Sequence, residues 1–181
     1  MSLFVISAPS GCGKSTVIKA IRHHCPEFNF AVSATTRPPR PNEVDGIHYF
    51  FYTEPDFQCA LRKNDFLEHV YLDPHYYATP WSELKKSKFG HLLLDVDVNG
   101  AIAIHQRFPE AVLIMLLPPS MEELERRLRM RGDTPNSEVV LRLTRAKKEM
   151  CTVGQFDYVI VNDDLDETIS NILDIIQIYT Q

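Results

Sequence analysis

The sequence predicts an α/β fold: a parallel sheet with helices on both faces. Three observations predict it. Leu3-Phe4-Val5-Ile6 is an apolar run followed at once by a glycine-containing loop and a helical pattern. The runs from His91 to Asp97 and from Ala111 to Leu117 have the continuous apolar character of strands buried on both sides. Helical and strand patterns alternate along the chain, as they do where parallel strands are joined by crossovers. With 181 residues, 44% of them hydrophobic, the chain is long enough for one domain with one substantial core.

The loop is Ser7-Ala8-Pro9-Ser10-Gly11-Cys12-Gly13-Lys14-Ser15-Thr16. Behind a strand and ahead of a helix, it reads as a phosphate-binding loop. Its backbone N–H groups converge on phosphate oxygens, the helix N-terminus adds its positive end, and Lys14 adds a full charge. Ser15 then offers its hydroxyl to Mg²⁺. The first position of the pattern is usually Gly and here is Ala8, while Gly11 and Gly13 are intact.

A net charge of -5 argues against a general nucleic-acid binder. Cys12, Cys25, Cys59 and Cys151 are widely spaced, which suits reduced thiols better than a disulfide framework or a zinc site. The first strand begins at residue 3 without a basic leader, and no apolar span is long enough for a membrane helix. A soluble, cytoplasmic protein, monomer or homodimer, is expected, with no membrane or nucleic-acid partner.

After the loop, Val17, Ile18 and Ile21 mark the buried face of a helix that should stop before Pro26, with His23 and His24 favourably placed in its last turn. Thr35-Thr36-Arg37-Pro38-Pro39-Arg40-Pro41 sets two arginines among three prolines. Such a stiff loop can present two planar forks to a dianionic phosphate, or it can be a solvated polar loop. His48 to Tyr52 reads as a strand, Pro55 to Lys63 as a helix, and Phe66 to Tyr71 as a half-buried strand. In that strand Glu68 and Val70 share one face, opposite Leu67 and His69. Thr79 and Pro80 read as the N-cap and first residue of a helix. Asp95 and Asp97 end their strand on one side, which expects something cationic beside them, Mg²⁺ or an acceptor nucleotide.

Ser120 and Glu123 form a capping-box pattern ahead of Arg126, Arg127, Arg129 and Arg131. Gly132 breaks that helix, and Ser137 caps the next, which carries Arg142 and Arg145. The patch is either a solvated face neutralised by Glu122, Glu123 and Glu125, or a mobile lid that brings cations to polyphosphate. Tyr158 to Val161 gives the last strand, and Leu165, Ile169, Ile172, Leu173 and Ile176 mark the core face of a closing helix.

Taken in order, the loop before Lys14, Ser33-Ala34-Thr35-Thr36-Arg37-Pro38-Pro39-Arg40, Gly46 with Tyr49, Phe66-Leu67-Glu68, Tyr76-Tyr77-Ala78-Thr79, Asp95-Val96-Asp97 with Gly100, Arg127 with Arg131-Gly132, Arg142, and Val161-Asn162-Asp163-Asp164 resemble guanylate kinase through nearly the whole chain. The resemblance implies a P-loop core (about 1–33, 91–125 and 151–181), a small mixed α/β insert binding GMP (about 34–90) and a helical lid (about 126–150). It also implies γ-phosphoryl transfer from ATP to GMP, and to dGMP, with Mg²⁺.

Carried over by position, the resemblance implies that Arg37, Arg40, Tyr49 and Tyr77 bind the GMP phosphate, with Ser33, Glu68, Thr79 and Asp97 around guanine and ribose. The ATP side would be Ala8, Pro9, Ser10, Gly11, Cys12, Gly13, Lys14, Ser15 and Thr16, with Asn162 near adenine. Lys14, Arg37, Arg127, Arg131 and Arg142 would be the catalytic cations. Ser15 would hold Mg²⁺, with Asp95 reaching it through water.

The chemistry agrees. Guanine presents N1–H and N2–H₂ side by side, and one carboxylate accepts both. Adenine has no such pair, and a site built around donors can reject an analogue lacking them by about 10⁴ or more. A nucleoside monophosphate is already largely dianionic near neutral pH, so no strong general base is needed. Ala8, Ala78 and Asn99 depart from the family pattern, Ala78 beside the acceptor residues. Two other readings are a binding-only module of guanylate kinase type, which has no use for Lys14, and a P-loop kinase for another acceptor, which has no use for Glu68 with Ser33.

Overall fold

The computed structural model describes residues 2–72, 74–86, 90–130 and 135–180. β1 (Leu3–Ser7), β2 (Asn29–Phe30), β7 (Leu92–Asp95), β8 (Val112–Leu117) and β9 (Tyr158–Val161) form one sheet in the order β2-β7-β1-β8-β9, with every neighbouring pair parallel. β3 (Ala34–Thr35), β4 (Phe50–Phe51), β5 (Phe66–Leu72) and β6 (His75–Pro80) form a second, mixed sheet in the order β4-β3-β6-β5. There β3 runs parallel to β4 and antiparallel to β6, and β5 is antiparallel to β6. The parallel sheet and the separate mixed one are the architecture the sequence leads one to expect.

The alternation of β1 decides both faces of the parallel sheet. Phe4 and Ile6 enter a core with Val17, Ile18 and Ile21 of α1 (Lys14–His24) and Ile172, Ile175 and Ile176 of α7 (Leu165–Thr180). Leu3 and Val5 enter a second core with Val98, Ala101 and Ile104 of α4 (Val98–Arg107) and with Leu67 of β5. A third, smaller core lies under the mixed sheet, where Phe57 of α2 (Glu54–Arg62) stacks on Phe66 and Tyr76. Helix α2 starts where Thr53 accepts from Asp56 N–H and Pro55 occupies its first turn.

Four local expectations need correction. The 48–52 segment contributes only Phe50–Phe51 to a strand, because Gly46 N–H bonds to Tyr49 O at 2.8 Å and closes a turn that takes His48 and Tyr49 out of the ladder. Thr79 is not a helix cap. β6 runs through Pro80, α3 (Trp81–Leu84) follows it, and the Thr79 hydroxyl is used elsewhere. Ser120 does accept from Glu123 N–H, yet the Glu123 carboxylate takes Arg126 and Arg127 instead of returning to the cap. That carboxylate sits in the first turn of α5 (Met121–Met130), and α6 (Asn136–Met150) begins at Asn136 rather than after Ser137, with Pro135 ahead of it. Residues 131–134, which include Arg131 and Gly132, lie outside the described residues. No helix among the described residues is long and apolar enough to cross a membrane.

Candidate active site

A cleft of about 160 Å³ opens where the carboxyl end of β7 meets the mixed sheet. A ligand site is expected at that end of a parallel sheet. Its lining includes Lys14, Ser15, Ser33, Tyr49, Glu68, Val70, Leu72, Tyr77, Asp95 and Asp97. Residues from both sheets and from the glycine loop are thus brought to one space.

The loop gets its shape from its backbone. Gly11 and Gly13 take φ of 96° and 86°, whereas Ala8 keeps an ordinary negative φ and packs its methyl in the core with Phe4 and Ile6. Position 8 therefore has no conformational need for glycine. Gly13 has two reasons to lack a side chain: its left-handed φ, and the Asn162 amide nitrogen, which a Cβ would meet at 2.7 Å. Asn162 is buried at the end of β9 and donates to Cys12 O at 2.6 Å, so the last strand braces the loop. The loop faces the cleft with the start of α1, whose first N–H groups have no partner within the helix. Lys14 turns toward β7, where it donates to Val96 O at 2.6 Å and forms an ion pair with Asp95. Cys12 is buried in this loop, and burial pushes its thiol up to about 12, against the pull of Arg127 and Lys14. It is an inert packing residue at neutral pH.

Across the cleft, β5 carries Glu68. The ladder between β5 and β6 slips by one residue between Phe66 and Glu68, a bulge that sends Leu67 into the core beneath α4 and leaves Glu68, Val70 and Leu72 facing the cleft. Glu68 is only 7% exposed. One carboxylate oxygen accepts from the Thr79 hydroxyl at 2.7 Å. The other lies against Gly100, where a Cβ would meet it at 2.8 Å and would meet Asp97 Oδ1 at 3.0 Å. Gly100 is therefore what lets both carboxylates approach one stretch of backbone. Asp97 is not the end of its strand as the sequence led one to expect: β7 stops at Asp95, and Asp97 instead caps α4 by accepting from Gly100 N–H at 2.8 Å. Burial raises the Glu68 carboxyl from 4.5 to about 7, opposed by the Thr79 hydrogen bond and assisted by the charge of Asp97.

The arginine loop is built from side chains. The Thr35 and Thr36 hydroxyls bond to the backbone of Tyr76, and the Arg37 N–H donates to Thr35, so the loop is fastened to β6. Arg37 lies over the rings of Tyr49 and Phe51 at 5.4 and 6.0 Å. It donates to Glu43 Oε1 at 2.9 Å and to Pro38 O at 2.7 Å, while the other oxygen of Glu43 accepts from Arg40 N–H at 2.7 Å. Burial works against the charge on Arg37, but Glu43 and Tyr77 hold its pKa above the ordinary arginine value. The Arg37 bond keeps the Glu43 carboxyl below its own ordinary value. Tyr49, which lines the cleft beneath Arg37, is pushed up to about 12 by burial and by the nearby Asp95 charge, so its hydroxyl stays protonated and can donate.

A family model described as guanylate kinase matches residues 1–179. The chain belongs to the guanylate kinase family. It is 42% identical over 176 residues to the guanylate kinase of Caldanaerobacter subterraneus subsp. tengcongensis, covering 96% of this chain and 85% of that protein. It is also 42% identical over 177 residues to that of Prochlorococcus marinus subsp. pastoris, covering 97% and 96%. The crystal structure of guanylate kinase from Anaplasma phagocytophilum superposes with a TM-score of 0.79 at 28% identity, covering 99% of this chain and 86% of that one.

Of the residues that resemblance to guanylate kinase singles out, Lys14, Ser15, Ser33, Tyr49, Glu68, Tyr77, Asp95 and Asp97 meet in the cleft. Thr79 stands one bond behind, on Glu68, and Arg37 stands behind the Tyr49 ring. Arg40 is exposed at the rim of its loop. Arg127 donates to Glu123 and to Asn162 O at 3.0 Å, and Arg142 is paired with Glu138 on its own helix, so neither cation faces the cleft here. Ala78 is buried in the mixed sheet's core with Ala34, Phe57 and Phe66. Asn99 is exposed on α4. Sequence reasoning missed Glu43 and Glu149, and placed Arg145 only in the basic patch. Glu43 sits within reach of two arginines in sequence, which could have flagged it. Arg145 and Glu149 read as one more helical ion pair at i, i+4.

Proposed function

We propose that this protein transfers the γ-phosphoryl group of ATP to GMP, and likewise to dGMP. The observation that carries the reading is the joint presence in one cleft of the loop lysine, Lys14, and a buried carboxylate, Glu68, whose second oxygen lies against Gly100 beside Asp97. Lys14 belongs to a donor polyphosphate and Glu68 to a guanine edge with two adjacent N–H donors. Ser33 and Asp97 complete the purine and ribose side. Tyr49, Tyr77, Arg37 and Arg40 take the acceptor phosphate, with residues 34–90 as the acceptor segment and 126–150 as the lid.

In the reaction the bond between the γ-phosphorus and the β,γ-bridging oxygen breaks, and the departing ADP keeps its electron pair. An oxygen of the GMP phosphate forms the new bond to phosphorus, giving GDP. No proton need leave the attacking dianion, so the protein's work is alignment and charge neutralisation. Lys14 exchanges Asp95 and Val96 O for phosphate oxygens. Arg37, already stacked and held by Glu43, needs little reordering to take the acceptor phosphate. Arg127, Arg131 and Arg142 reach the transferring group when α5 and α6 close over it and exclude water.

The residues suit Mg²⁺. Ser15 and Asp95 supply two oxygen donors in the same cleft, and this ion is usually held by one or two protein oxygens together with substrate phosphates and water. Ser15 would be its direct ligand and Asp95 an outer partner, and the ion would supply positive charge to the polyphosphate of the donor. A binding-only module would have no use for the Lys14 and Ser15 pair. The test is ADP formation from Mg·ATP with GMP, dGMP, AMP, CMP, UMP, dTMP or no acceptor. Turnover confined to GMP and dGMP is expected. Turnover with another acceptor, or none at all while GMP still binds, overturns the reading.

A further inference from the structure

Among the described residues, Asp97 is flanked by charge from four elements: Lys14 on α1, Asp95 on β7, Glu68 on β5, and Arg145 with Glu149 on α6. Its Oδ1 is taken by Gly100 N–H. Its Oδ2 is buried and has no hydrogen-bond partner among the described residues. The cation beside it among the described residues is the Arg145 guanidinium, whose Nη2 is 3.9 Å from Oδ2, beyond hydrogen-bond reach but within ion-pair distance. Arg145 is kept at that distance from the other side, because its Nε donates to Glu149 Oε1 at 2.8 Å. Glu149 is itself buried, and Lys14 is already paired with Asp95. Glu68, Asp97 and Glu149 thus crowd one seam, and Arg145 is the cation left to balance the last two among the described residues. Arg142, one turn earlier, is tied to Glu138 instead.

We propose that Arg145 is a positioning residue of the acceptor pocket: anchored by Glu149, its guanidinium neutralises Asp97 from a distance and so leaves Asp97 Oδ2 free to accept from the acceptor nucleotide. This rests on GMP being the acceptor. A buried carboxylate oxygen with no partner is costly unless something donates to it, and a bound nucleotide supplies the donor that the resting structure withholds. The same geometry links α6 to the acceptor side, since the helix that carries Arg142 also carries the counter-charge of Asp97.

The experiment titrates GMP by calorimetry into the unaltered protein, Arg145→Gln, Arg145→Lys and Glu149→Gln, with KM for GMP and for ATP measured in parallel and cooperative melting used to verify folding. Arg145→Gln is expected to weaken GMP about fivefold, the scale of one partly exposed charge pair. KM for ATP should stay within about twofold, and Arg145→Lys should restore most of the loss. Glu149→Gln, which frees Arg145 to collapse onto Oδ2, should weaken GMP although the cation remains. Unchanged GMP affinity in Arg145→Gln, equal losses for GMP and ATP, or unchanged affinity in Glu149→Gln would each overturn the proposal. Failure of the unaltered protein to bind GMP would overturn the functional reading on which it rests, a result distinct from the other three.

Discussion

The two anion-handling regions of this molecule are made of different material. The segment from Ala8 to Gly13 is a backbone device: two left-handed glycines, a helix start and one brace from Asn162. The segment from Thr35 to Phe51 is a side-chain device, in which Arg37 rests on Tyr49 and Phe51 and is gripped by Glu43. A backbone site is specified by a few adjacent residues and tolerates change where φ is ordinary, as at Ala8. A side-chain site is specified by contacts spread over sequence, so loosening one support costs less than removing the group that meets the ligand.

That contrast predicts a graded series. Lys14→Ala removes the single full charge of the backbone device and should lower kcat by about 10³-fold, with circular dichroism unchanged. Retained turnover would mean that the loop is not the donor site. Gly13→Ala should destabilise the fold by about 1–3 kcal/mol in denaturant melts, since it combines positive φ with a contact on Asn162. Unaltered stability would remove the conformational argument for the loop. In the side-chain device, Glu43→Gln should raise KM for GMP by about fivefold while leaving KM for ATP alone, because it loosens the Arg37 fork without removing it. A loss as large as that from Lys14→Ala would erase the contrast. Ala78→Gly, at a buried methyl in the mixed sheet's core, should cost about 1 kcal/mol of stability and change kcat by less than about twofold.

The same distinction explains what could be read in advance. The parallel sheet, its central β1, and the helices α1 and α7 follow from local period and apolar runs, and the glycine loop from adjacent residues. What escaped depended on which of several available partners a group takes. Thr79 looks like a helix cap in its own neighbourhood, yet Glu68 on the adjacent strand claims its hydroxyl. Asp97 was legible as an acid at a strand end, but not as the cap of α4, because the cap depends on where β7 stops. Glu123 fits a capping box until Arg126 and Arg127, on the same helix, outcompete the cap. The burial of Glu68 was hidden as well, since strand alternation cannot say which face a second sheet will cover.

Glu68 also sets the pH behaviour. A carboxyl raised from 4.5 to about 7 favours the folded state when protonated, so its contribution is fully present below pH 4.5 and is lost as pH rises through about 7. Guanine recognition needs the opposite form, the ionised carboxylate that accepts two N–H donors. GMP binding is therefore expected to tighten as pH rises toward 7 and to expel a proton from Glu68.

The most direct measurement is the GMP affinity of the unaltered protein and of Glu68→Gln across pH 5.5 to 8.5, a window of about 1.5 units on either side of that carboxyl. The unaltered protein should tighten by up to about tenfold per unit between about pH 6 and 7, more steeply below about pH 6 where the phosphate titrates as well, and then level off, while Glu68→Gln should bind GMP about 10²-fold more weakly at pH 8 and keep only the limb near pH 6 that belongs to the phosphate itself. Equal affinities and superimposable pH curves would contradict the claim that Glu68 reads the guanine.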